Sequence, residues 1–449
     1  MVADVNDQNR RGAAKIVFVN RYFHPDQSAT SRILSDLAFR LARQGVAVSV
    51  VTSRQLYSEP QAALAPFELV HGVSVHRVAT ATRGRSNLGG RALDYATFYL
   101  AACLKLLRVL SPGDVVVAKT DPPLISIPVS MAAALRNAVL VNWLQDLFPE
   151  VAEILAPDLI PDWAARVLTS WRDRCLRRAS MNVVLGQQMN TRLRQRGVDE
   201  SRIVEISNWS DPGEIAPLPS AASETRKSLG LTGKFVIGYS GNFGRAHEFD
   251  TLLGAARLLQ GDDRFVFLMT GAGAKRAALE DAVQRQGLSS FVFQDYQPPE
   301  RLSDSMAAAD VHVVSLLPAL EGLIVPSKIY GILAAGRPAM FIGDREGDIA
   351  MLLREHACGL AVSVGECSTL ARELQSLCGN ISRLDSMGLR ARQLALSRFT
   401  GDHASAAWVS LLRRIAPGVC SPTRTVDGSG AALPVFAEDE QSTVKQAQQ

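Results

Sequence analysis

Short apolar runs alternate with amphipathic stretches from the start of this sequence, and few folds accommodate such an alternation. Residues 14–20 (AKIVFVN) are apolar, residues 30–44 carry isoleucine, leucine and alanine at helical spacing, and residues 46–52 (VAVSVVT) are apolar again. A strand, a helix and a strand in this order form the parallel βαβ unit. The alternation continues through residues 114–119, 124–136, 138–143 and 181–185. The pattern therefore predicts a doubly wound α/β sheet.

The alternation stops once and then starts again. Residues 208–223 begin with Asn208-Trp209-Ser210-Asp211-Pro212-Gly213 and continue rich in proline, serine and alanine, which is typical of a linker. New strands are predicted at residues 235–240, 264–270, 291–293, 310–316 and 338–342. A chain of 449 residues also exceeds what one hydrophobic core usually supports. We expect ligands in the cleft between the two sheets, beyond the carboxyl ends of the strands.

The predicted organisation is therefore α/β, with two Rossmann-like doubly wound domains facing a cleft. The N-terminal domain covers residues 14–207, the linker residues 208–223, and the C-terminal domain residues 224–415, whose last helix is free to return to the first domain. Residues 1–13 and 416–449 are polar with little apolar periodicity, so we predict a disordered lead-in and a disordered tail.

Charge and cysteine content exclude several classes of protein. The formal net charge of +4 is spread over the whole chain, so nucleic acid is not an expected partner. The six cysteines are scattered, without a C-x-x-C pair or a histidine at metal-ligand spacing, which predicts a reduced cytoplasmic compartment and no metal site. Residues 1–12 lack the apolar core of a signal peptide. Charged residues interrupt the apolar stretches 92–110 and 122–141, so no transmembrane helix is predicted.

Two glycine-containing turns follow predicted strands of the second half. Gly241-Asn242-Phe243-Gly244-Arg245 lies between a strand and the helical run 249–259, where backbone amides can approach a phosphate and Arg245 can add charge. An ordinary strand-to-helix turn is the alternative. Gly271-Ala272-Gly273 begins like a dinucleotide fingerprint, but the third glycine would fall at Arg276, which disfavours a nicotinamide cofactor.

A third candidate is the segment from Glu321 to Lys328 (EGLIVPSK). Pro326 suits a first helical position, so Ser327 and Lys328 are predicted at a helix N-terminus, where amide dipoles and an ammonium can converge on a pyrophosphate. Glu321 supplies a carboxylate for the hydroxyls of a sugar. A surface loop followed by a core helix is the alternative.

These motifs, in this order, resemble the retaining glycosyltransferases of family 4, which have the GT-B fold. The nearest branch is that of the bacterial colanic-acid, O-antigen and capsule transferases. The resemblance spans about residues 14–400. It rests on Tyr22-Phe23-His24-Pro25, residues 143–150 (WLQDLFPE), Asn208-Trp209-Ser210, Gly241–Gly244, Gly271–Gly273, and residues 321–338 with their Ala334-Ala335-Gly336-Arg337-Pro338 end.

The resemblance implies a nucleotide-sugar site in the C-terminal domain. The glycine turn and Lys328 would hold the donor diphosphate, and Glu321 would touch the donor sugar. The remaining predicted donor contacts are Asn242, Gly271, Gly273, Pro326 and Ser327. The second glutamate of the family, which holds the ribose, has no match, because the alignment places Gly331 there; Glu346 and Asp348 are predicted as stand-ins. A basic residue usually follows the glycine turn, where this chain has Ala246, His247 and Glu248, so Arg245 is predicted to replace it.

The resemblance also implies retention at the anomeric carbon, with the donor phosphate accepting the proton of the acceptor. The sequence contains no Asp-x-Asp metal clamp, so we expect metal-independent transfer from a UDP-linked sugar, without a cofactor. Asp146, at a predicted strand end, either orients the acceptor hydroxyl or caps the helix near Pro149. His24, Ser28 and Thr30 are predicted to bind the acceptor, a polyprenyl-linked saccharide.

The predicted helix 162–178 carries Arg166, Arg172, Arg174, Arg177 and Arg178 beside Trp163 and Trp171. Cationic side chains with interfacial tryptophans suit an anionic membrane surface. Alternatively, Val167, Leu168, Trp171 and Cys175 face the core and the arginines face water. The function also has two alternatives: an epimerase of the same fold acting on UDP-N-acetylglucosamine, and an inactive nucleotide-binding scaffold, which the glycine at position 331 keeps open.

Overall fold

A computed structural model describes residues 14–83 and 88–420. The lead-in 1–13 and residues 421–449 of the predicted tail lie outside the described residues. The first domain contains an eight-stranded sheet in the order β3-β4-β2-β1-β5-β6-β7-β8, parallel except for the antiparallel β3–β4 pair. Its strands are β1 Ile16–Val19, β2 Val48–Ser53, β3 Phe67–Val70, β4 Val73–Val78, β5 Val115–Lys119, β6 Val139–Trp143, β7 Met181–Val184 and β8 Ile203–Glu205.

Helices cover both faces of this sheet, as the predicted doubly wound architecture requires. They are α1 Ala29–Arg43, α2 Leu88–Val109, α3 Ser126–Arg136, α4 Glu150–Leu155, α5 Asp162–Arg178 and α6 Gln187–Gln195. Apolar side chains of β1 and β5 pack against α2 and α3 on one face and against α1 on the other. Near-continuous apolar strands of this kind are expected where both faces of a sheet are buried.

The second domain repeats this design with six parallel strands in the order β11-β10-β9-β12-β13-β14. These are β9 Phe235–Ser240, β10 Phe265–Thr270, β11 Phe291–Gln294, β12 Val311–Ser315, β13 Ala339–Ile342 and β14 Gly359–Val362. The helices are α7 Glu224–Ser228, α8 Asp250–Leu258, α9 Arg276–Arg285, α10 Leu302–Ala307, α11 Lys328–Ala334, α12 Asp348–Glu355, α13 Cys367–Cys378, α14 Ile381–Arg398 and α15 Gly401–Ile415.

The chain passes between the domains twice. Residues 208–223 pack against both domains, since Trp209 stacks on Trp143 with ring centroids 6.3 Å apart, while Ile215 belongs to the core of the second domain. Helix α15 then returns to the first domain, where the fully buried Trp408 contacts Trp143 and Phe18.

The start of the tail at residue 416 was predicted too early. Residues 417–420 form a short 3-10 turn after α15. Val419 in this turn is 2% exposed and belongs to the core of the first domain. Residues 416–420 (APGVC) are too short a segment to show an apolar periodicity, so the sequence pattern did not indicate this turn. No helix among the described residues is long and apolar enough to cross a membrane.

Candidate functional site

The two domains meet where the chain after β6 contacts the chain after β12. Asp146 and Ile324 form an isolated antiparallel bridge, and Leu147 N donates to Leu323 O at 3.0 Å. The first segment belongs to the predicted acceptor side and the second to the predicted donor side. The carboxyl ends of strands from both sheets therefore line one cleft.

The two glycine turns interlock on the donor side of this cleft. Gly271 and Gly273 have φ angles of 132° and 151°, which residues with a side chain rarely adopt. A Cβ atom on Gly271 would collide with Gly241 O, and one on Gly273 would collide with the Asn242 side chain. Phe243 N donates to Ala272 O at 2.9 Å across the contact. The structure therefore brings together the predicted residues Gly241, Asn242, Gly244, Gly271 and Gly273.

The backbone amides of the first turn differ in their partners. Gly241 N donates to Thr270 O at 3.0 Å, and Phe243 N is also bonded. Within the described part of the chain, the amides of Gly244, Arg245 and Ala246 donate to no acceptor. Three successive free N–H groups form a site suited to an anion.

Lys328 is a buried cation without a hydrogen-bond partner in the described structure. Its Nζ atom lies 3.5 Å from the centroid of the Tyr239 ring and donates no hydrogen bond to a described residue. A Cβ atom on Gly241 would be 3.8 Å from this Nζ, so the ammonium lies beside the glycine turn. Burial lowers the pKa of Lys328 well below its usual value. An anion bound at the turn would supply the missing partner.

The helix after this segment begins later than predicted. Helix α11 starts at Lys328 with Ser327 as its N-cap, so Pro326 precedes the cap instead of occupying the first helical position. Ser327 is exposed and its side chain makes no capping hydrogen bond. Since α11 has only seven residues, its dipole adds little to the site, and the Lys328 ammonium is the main positive group.

Glu321 is a buried carboxyl at the domain interface with a raised pKa. Its Oε1 accepts a hydrogen bond from Asp348 N at 2.9 Å, and Gly347 has no room for a Cβ beside it. Burial, followed by the charges of Asp348 and Asp344, raises the pKa of Glu321 to about 7. The backbone O of Glu321 accepts from Arg192 Nε of the first domain at 2.8 Å.

The predicted ribose stand-ins have other partners in this structure. The Asp348 carboxylate accepts from Gln188 N at 3.0 Å and 3.3 Å, which caps α6 of the opposite domain. Glu346 is exposed and pairs with Arg354 at 3.2 Å. Both carboxylates are therefore already engaged, and Asp348 holds the domains together instead of pointing at a free surface.

Arg245 is the residue predicted to supply the positive charge beside the glycine turn. Arg245 is exposed and makes no ion pair with a described residue. His247 instead faces the site: its Nδ1 lies 2.6 Å from Ser315 O, and burial and the nearby Lys328 lower its pKa to about 4. Lys275 Nζ donates to His247 O at 2.6 Å. Lys328, the free amides and the exposed Arg245 side chain are therefore the groups that can contact a diphosphate.

Asp146 lies on the acceptor side of the cleft and does not cap a helix. Helix α4 begins at Glu150 with Pro149 as its N-cap and has no side-chain capping bond, so the capping alternative is wrong. Asp146 Oδ1 is enclosed and accepts no hydrogen bond. Burial, followed by the charge of Asp121, raises the pKa of Asp146 to about 7. Near neutral pH a carboxyl of this kind can accept a hydrogen bond from a hydroxyl of the acceptor sugar when ionised, and can donate one to it when protonated.

Comparison with known protein families agrees with this geometry. Residues 28–209 match the glycosyl transferase 4-like domain, and residues 234–380 match the glycosyl transferases group 1 family. The two matches occur in the order that the fold requires and cover most of both domains. The chain is a family 4 glycosyltransferase.

Its relatives include transferases of the predicted branch. The probable glycosyltransferase WbjE of Pseudomonas aeruginosa is 29% identical over 286 residues, which are 61% of this chain and 68% of WbjE. The putative colanic acid biosynthesis glycosyl transferase WcaI of Escherichia coli K12 is 26% identical over 44% of this chain, about half of its own length (49%).

Solved structures show the same GT-B fold. HepE of Anabaena in complex with UDP-glucose has a TM-score of 0.67 at 18% identity and covers 89% of this chain and 99% of its own. The sucrose-phosphate synthase of Thermosynechococcus elongatus has a TM-score of 0.72 at 17% identity, with 90% and 99% coverage. The predicted fold class and family are confirmed.

The predicted acceptor residues of this family 4 glycosyltransferase divide between two places. The His24 ring packs against Phe39 of α1 and against His71, with centroids 5.6 Å and 6.3 Å apart. Thr30 does lie in the cleft, where its Oγ1 donates to Asp121 Oδ2 at 3.4 Å. Ser28 donates to Asp26 Oδ1 in the loop between them.

Sequence reasoning missed Tyr239, Lys275 and Asp121. Tyr239 lies inside β9 and resembles an ordinary core residue, although its ring carries the Lys328 ammonium. Asp121 follows β5 directly, and its position after a strand was a signal that could have identified it. Among the described residues, no group of three or more histidine, cysteine, aspartate or glutamate side chains could hold a metal ion.

We expect Asp146→Asn to raise the thermal stability of this glycosyltransferase at pH 8. A carboxyl whose folded pKa is about 7 and whose unfolded pKa is 3.8 destabilises the fold increasingly between these pH values and constantly above them. The amide carries no charge, so the gain in melting temperature should be larger at pH 8 than at pH 4.5. Asp281→Asn, at an exposed site in α9, is the control. A gain that does not grow with pH would contradict the burial argument.

Proposed function

We propose that this enzyme transfers a hexose or N-acetylhexosamine from a UDP-linked donor to a lipid-linked saccharide during synthesis of a bacterial surface polysaccharide. The observation that carries the proposal is the unpartnered Lys328 ammonium beside the Gly241 turn, which matches a donor diphosphate. HepE, of the same fold, is described with UDP and glucose. WcaI is named for colanic acid biosynthesis.

The proposed reaction retains the anomeric configuration. The bond between the anomeric carbon and the β-phosphate oxygen breaks, the acceptor oxygen attacks the same face, and the acceptor proton passes to the departing phosphate. Negative charge grows on the diphosphate as it leaves, and the Lys328 ammonium and the free amides of Gly244, Arg245 and Ala246 stabilise it. This assignment needs neither a dedicated base nor a metal ion.

A donor and acceptor panel tests the function. The full chain is incubated with UDP- and GDP-sugars and polyprenyl-diphosphate-linked saccharides, with and without EDTA, and products are identified by mass and by the anomeric coupling constant. We expect one UDP-sugar to give an α-linked product from an α-linked donor, unchanged by EDTA. An inverted product or an absolute metal requirement would contradict the mechanism.

One observation favours a second candidate, an inactive nucleotide-binding scaffold. The resemblance places Gly331 where the family has its ribose glutamate, so the carboxylate is missing there; a Cβ atom at this position would make an ordinary contact with Ile215 Cδ1 at 3.4 Å. UDP binding without turnover of any donor in the panel would support the scaffold. Donor converted to its epimer without an acceptor would support the epimerase instead.

The structure also supports docking of the first domain to an anionic membrane. One face of α5 exposes Trp163 (70%) and Trp171 (56%) together with Arg166, Arg174 and Arg178. In this helix Cys175 is buried whereas Trp171 is exposed to water, which supports the docking proposal. Arg172, predicted on the basic face, is instead buried and pairs with Glu150 at 2.7 Å and Asp173 at 2.8 Å.

Neighbouring helices extend this surface. Helix α3 packs between α2 and α5, and its Ser130 Oγ lies 3.4 Å from Cys175 Sγ of α5. Large apolar side chains are exposed on both: Leu100 (64%) and Leu104 (49%) on α2, and Met131 (58%) and Leu135 (70%) on α3. Among the described side chains of these helices, Asp162 is the only exposed acid. An apolar surface bordered by arginines complements an anionic bilayer.

We expect the variants Trp163→Ser/Trp171→Ser and Arg166→Glu/Arg174→Glu/Arg178→Glu to lose binding to vesicles of phosphatidylglycerol and phosphatidylethanolamine. Each removed cation contributes about 1 kcal/mol near such a surface, so the charge variant should bind at least about tenfold more weakly. Co-sedimentation at low and high salt measures the loss. The matched control Arg257→Glu/Arg285→Glu/Arg372→Glu changes exposed arginines of the second domain. Equal losses in both charge variants would refute a specific docking face.

A further inference from the structure

Three tyrosine side chains and one aspartate side chain meet at the carboxyl ends of the strands of the first domain. Tyr22 follows β1, Tyr57 follows β2, Asp121 follows β5, and Tyr95 lies in the first turns of α2. The Tyr22 and Tyr57 rings pack edge to face with centroids 5.7 Å apart. The strand ends of a doubly wound sheet are where ligands of this architecture bind.

Arg21 packs against the rings of Tyr22 and Tyr95. Its guanidinium carbon lies 5.3 Å from the centroid of Tyr22 and 5.2 Å from that of Tyr95, and its Nη2 pairs with Asp94 at 3.5 Å. Arg21 is only 8% exposed, so its main role is to hold the rings. Tyr57, in contrast, is 59% exposed and forms the outer part of this wall.

Asp121 forms the floor between these rings. Its Oδ2 accepts from Thr30 Oγ1 at 3.4 Å, and its charge acts on Tyr22, Tyr95 and the nearby carboxyl of Asp146. Burial raises the pKa of Asp121 to about 6, so the group is mostly ionised at neutral pH. It then offers acceptor lone pairs to hydroxyl groups in the cleft.

We propose that Tyr22, Tyr57, Tyr95 and Asp121 form the acceptor subsite, and that it takes the uncharged, hydroxyl-rich end of a saccharide. This inference rests on the proposed transferase function and names the chemistry of its acceptor. Aromatic walls with a few convergent polar groups are typical of small-molecule sites. Asp146, across the floor from Asp121, lies within the segment that pairs with the donor loop at Ile324. A saccharide bound over Asp121 therefore has its reacting end directed to the donor.

The charges around the subsite select against an acidic sugar. Asp26, Asp121 and Asp146 surround it, while the charges of Arg21 and Asp94 offset each other in their ion pair. Lys119 lies beneath the floor, where burial lowers its pKa to about 7 and its Nζ donates to Thr30 O at 2.9 Å. Among the described residues, the charge of Arg91, exposed in the first turn of α2, acts on Tyr95, and the backbone N of Arg83 donates to Asp94 Oδ1 at 2.9 Å. A carboxylate or phosphate on the sugar would therefore meet net repulsion.

Binding of simple glycosides to the full chain tests this subsite. The probes are p-nitrophenyl β-D-glucoside and β-D-galactoside, with p-nitrophenyl β-D-glucuronide as the acidic counterpart, and binding is measured by saturation-transfer NMR with UDP present. The wild type should bind a neutral glycoside and discriminate against the glucuronide. Asp121→Asn and Tyr57→Leu should each weaken neutral glycoside binding about tenfold, because each removes one principal contact. Phe67→Leu, at an exposed aromatic of the edge strand β3, is the matched control and should leave binding unchanged.

The outcomes separate this subsite from the transferase function. UDP affinity, measured by calorimetry, should be the same in the wild type and all three variants. Absence of UDP binding in the wild type would count against the proposed function. With UDP binding intact, the subsite is overturned if no neutral glycoside binds, if the glucuronide binds equally well, or if Asp121→Asn and Tyr57→Leu behave like Phe67→Leu.

Discussion

Lys328→Ala should lower the rate of sugar transfer at least about a hundredfold, equivalent to about 2.7 kcal/mol of transition-state stabilisation, while leaving the fold intact. The Lys328 ammonium has no hydrogen-bond partner, so its removal costs the folded protein only its contact with the Tyr239 ring. The ammonium is expected to stabilise the negative charge that grows on the diphosphate as it leaves. Single-turnover kinetics and circular dichroism measure the two effects. Lys234→Ala, at a surface lysine that pairs with Asp263, is the control and should keep normal turnover.

Donor binding should also be linked to proton uptake at Lys328. Burial lowers the pKa of the ligand-free amine, and a diphosphate beside it raises this pKa again. Binding then takes up a proton, so UDP affinity should fall as pH rises above the ligand-free pKa. Calorimetry in two buffers of different ionisation enthalpy measures the uptake. An unchanged proton uptake in Lys328→Ala would assign it to another group.

Glu321→Ala is the second substitution with a large expected effect, again about a hundredfold or more in transfer rate. We propose that the carboxylate accepts hydrogen bonds from the donor sugar; it also accepts one from Asp348 N, which supports the loop at the domain interface. Glu321→Gln keeps an acceptor for Asp348 N and removes the charge, so it separates the two roles. Rates with both variants and with the exposed control Glu355→Ala give the comparison.

The pH dependence provides a further readout for Glu321. Its pKa is raised to about 7, so the carboxylate fraction grows as pH rises through that value. If transfer needs the carboxylate, the rate should rise across the same range in the wild type and lose this rise in Glu321→Gln. Near-normal turnover in both Glu321→Ala and Lys328→Ala would remove the basis of the donor-site assignment.

The sequence predicted the two α/β domains and the positions of their buried strands. Buried parallel strands consist of continuous valine, isoleucine and phenylalanine runs, as in β9 and β10, so their positions follow from local composition. The edge strand β3 does not, because its side chains are largely exposed and its pairing with β4 depends on a turn at His71 and Gly72. The glycine turns were also predictable, since their motif is contiguous in the chain.

Contacts between distant segments give two of the predicted site residues protein partners that the sequence did not indicate. Asp348 has a sequence position that suits a ligand contact, yet its carboxylate caps α6, 160 residues earlier in the chain. His24 was assigned to the acceptor from its place in a loop, yet Phe39 and His71 draw its ring into a packing contact. No local periodicity encodes such pairings, because they depend on how the two sheets and their helices are assembled in space.

The return of α15 to the first domain affects the order in which the protein can mature during synthesis. Trp408 is fully buried against Trp143 and Phe18, which are encoded far earlier. Domains usually fold as they leave the ribosome, the N-terminal one first. Here part of the hydrophobic core of the first domain comes from α15, which is synthesised last. The nascent chain therefore exposes a hydrophobic surface while the second domain is being translated. A ribosome-bound chaperone would find its binding site on this unfinished face.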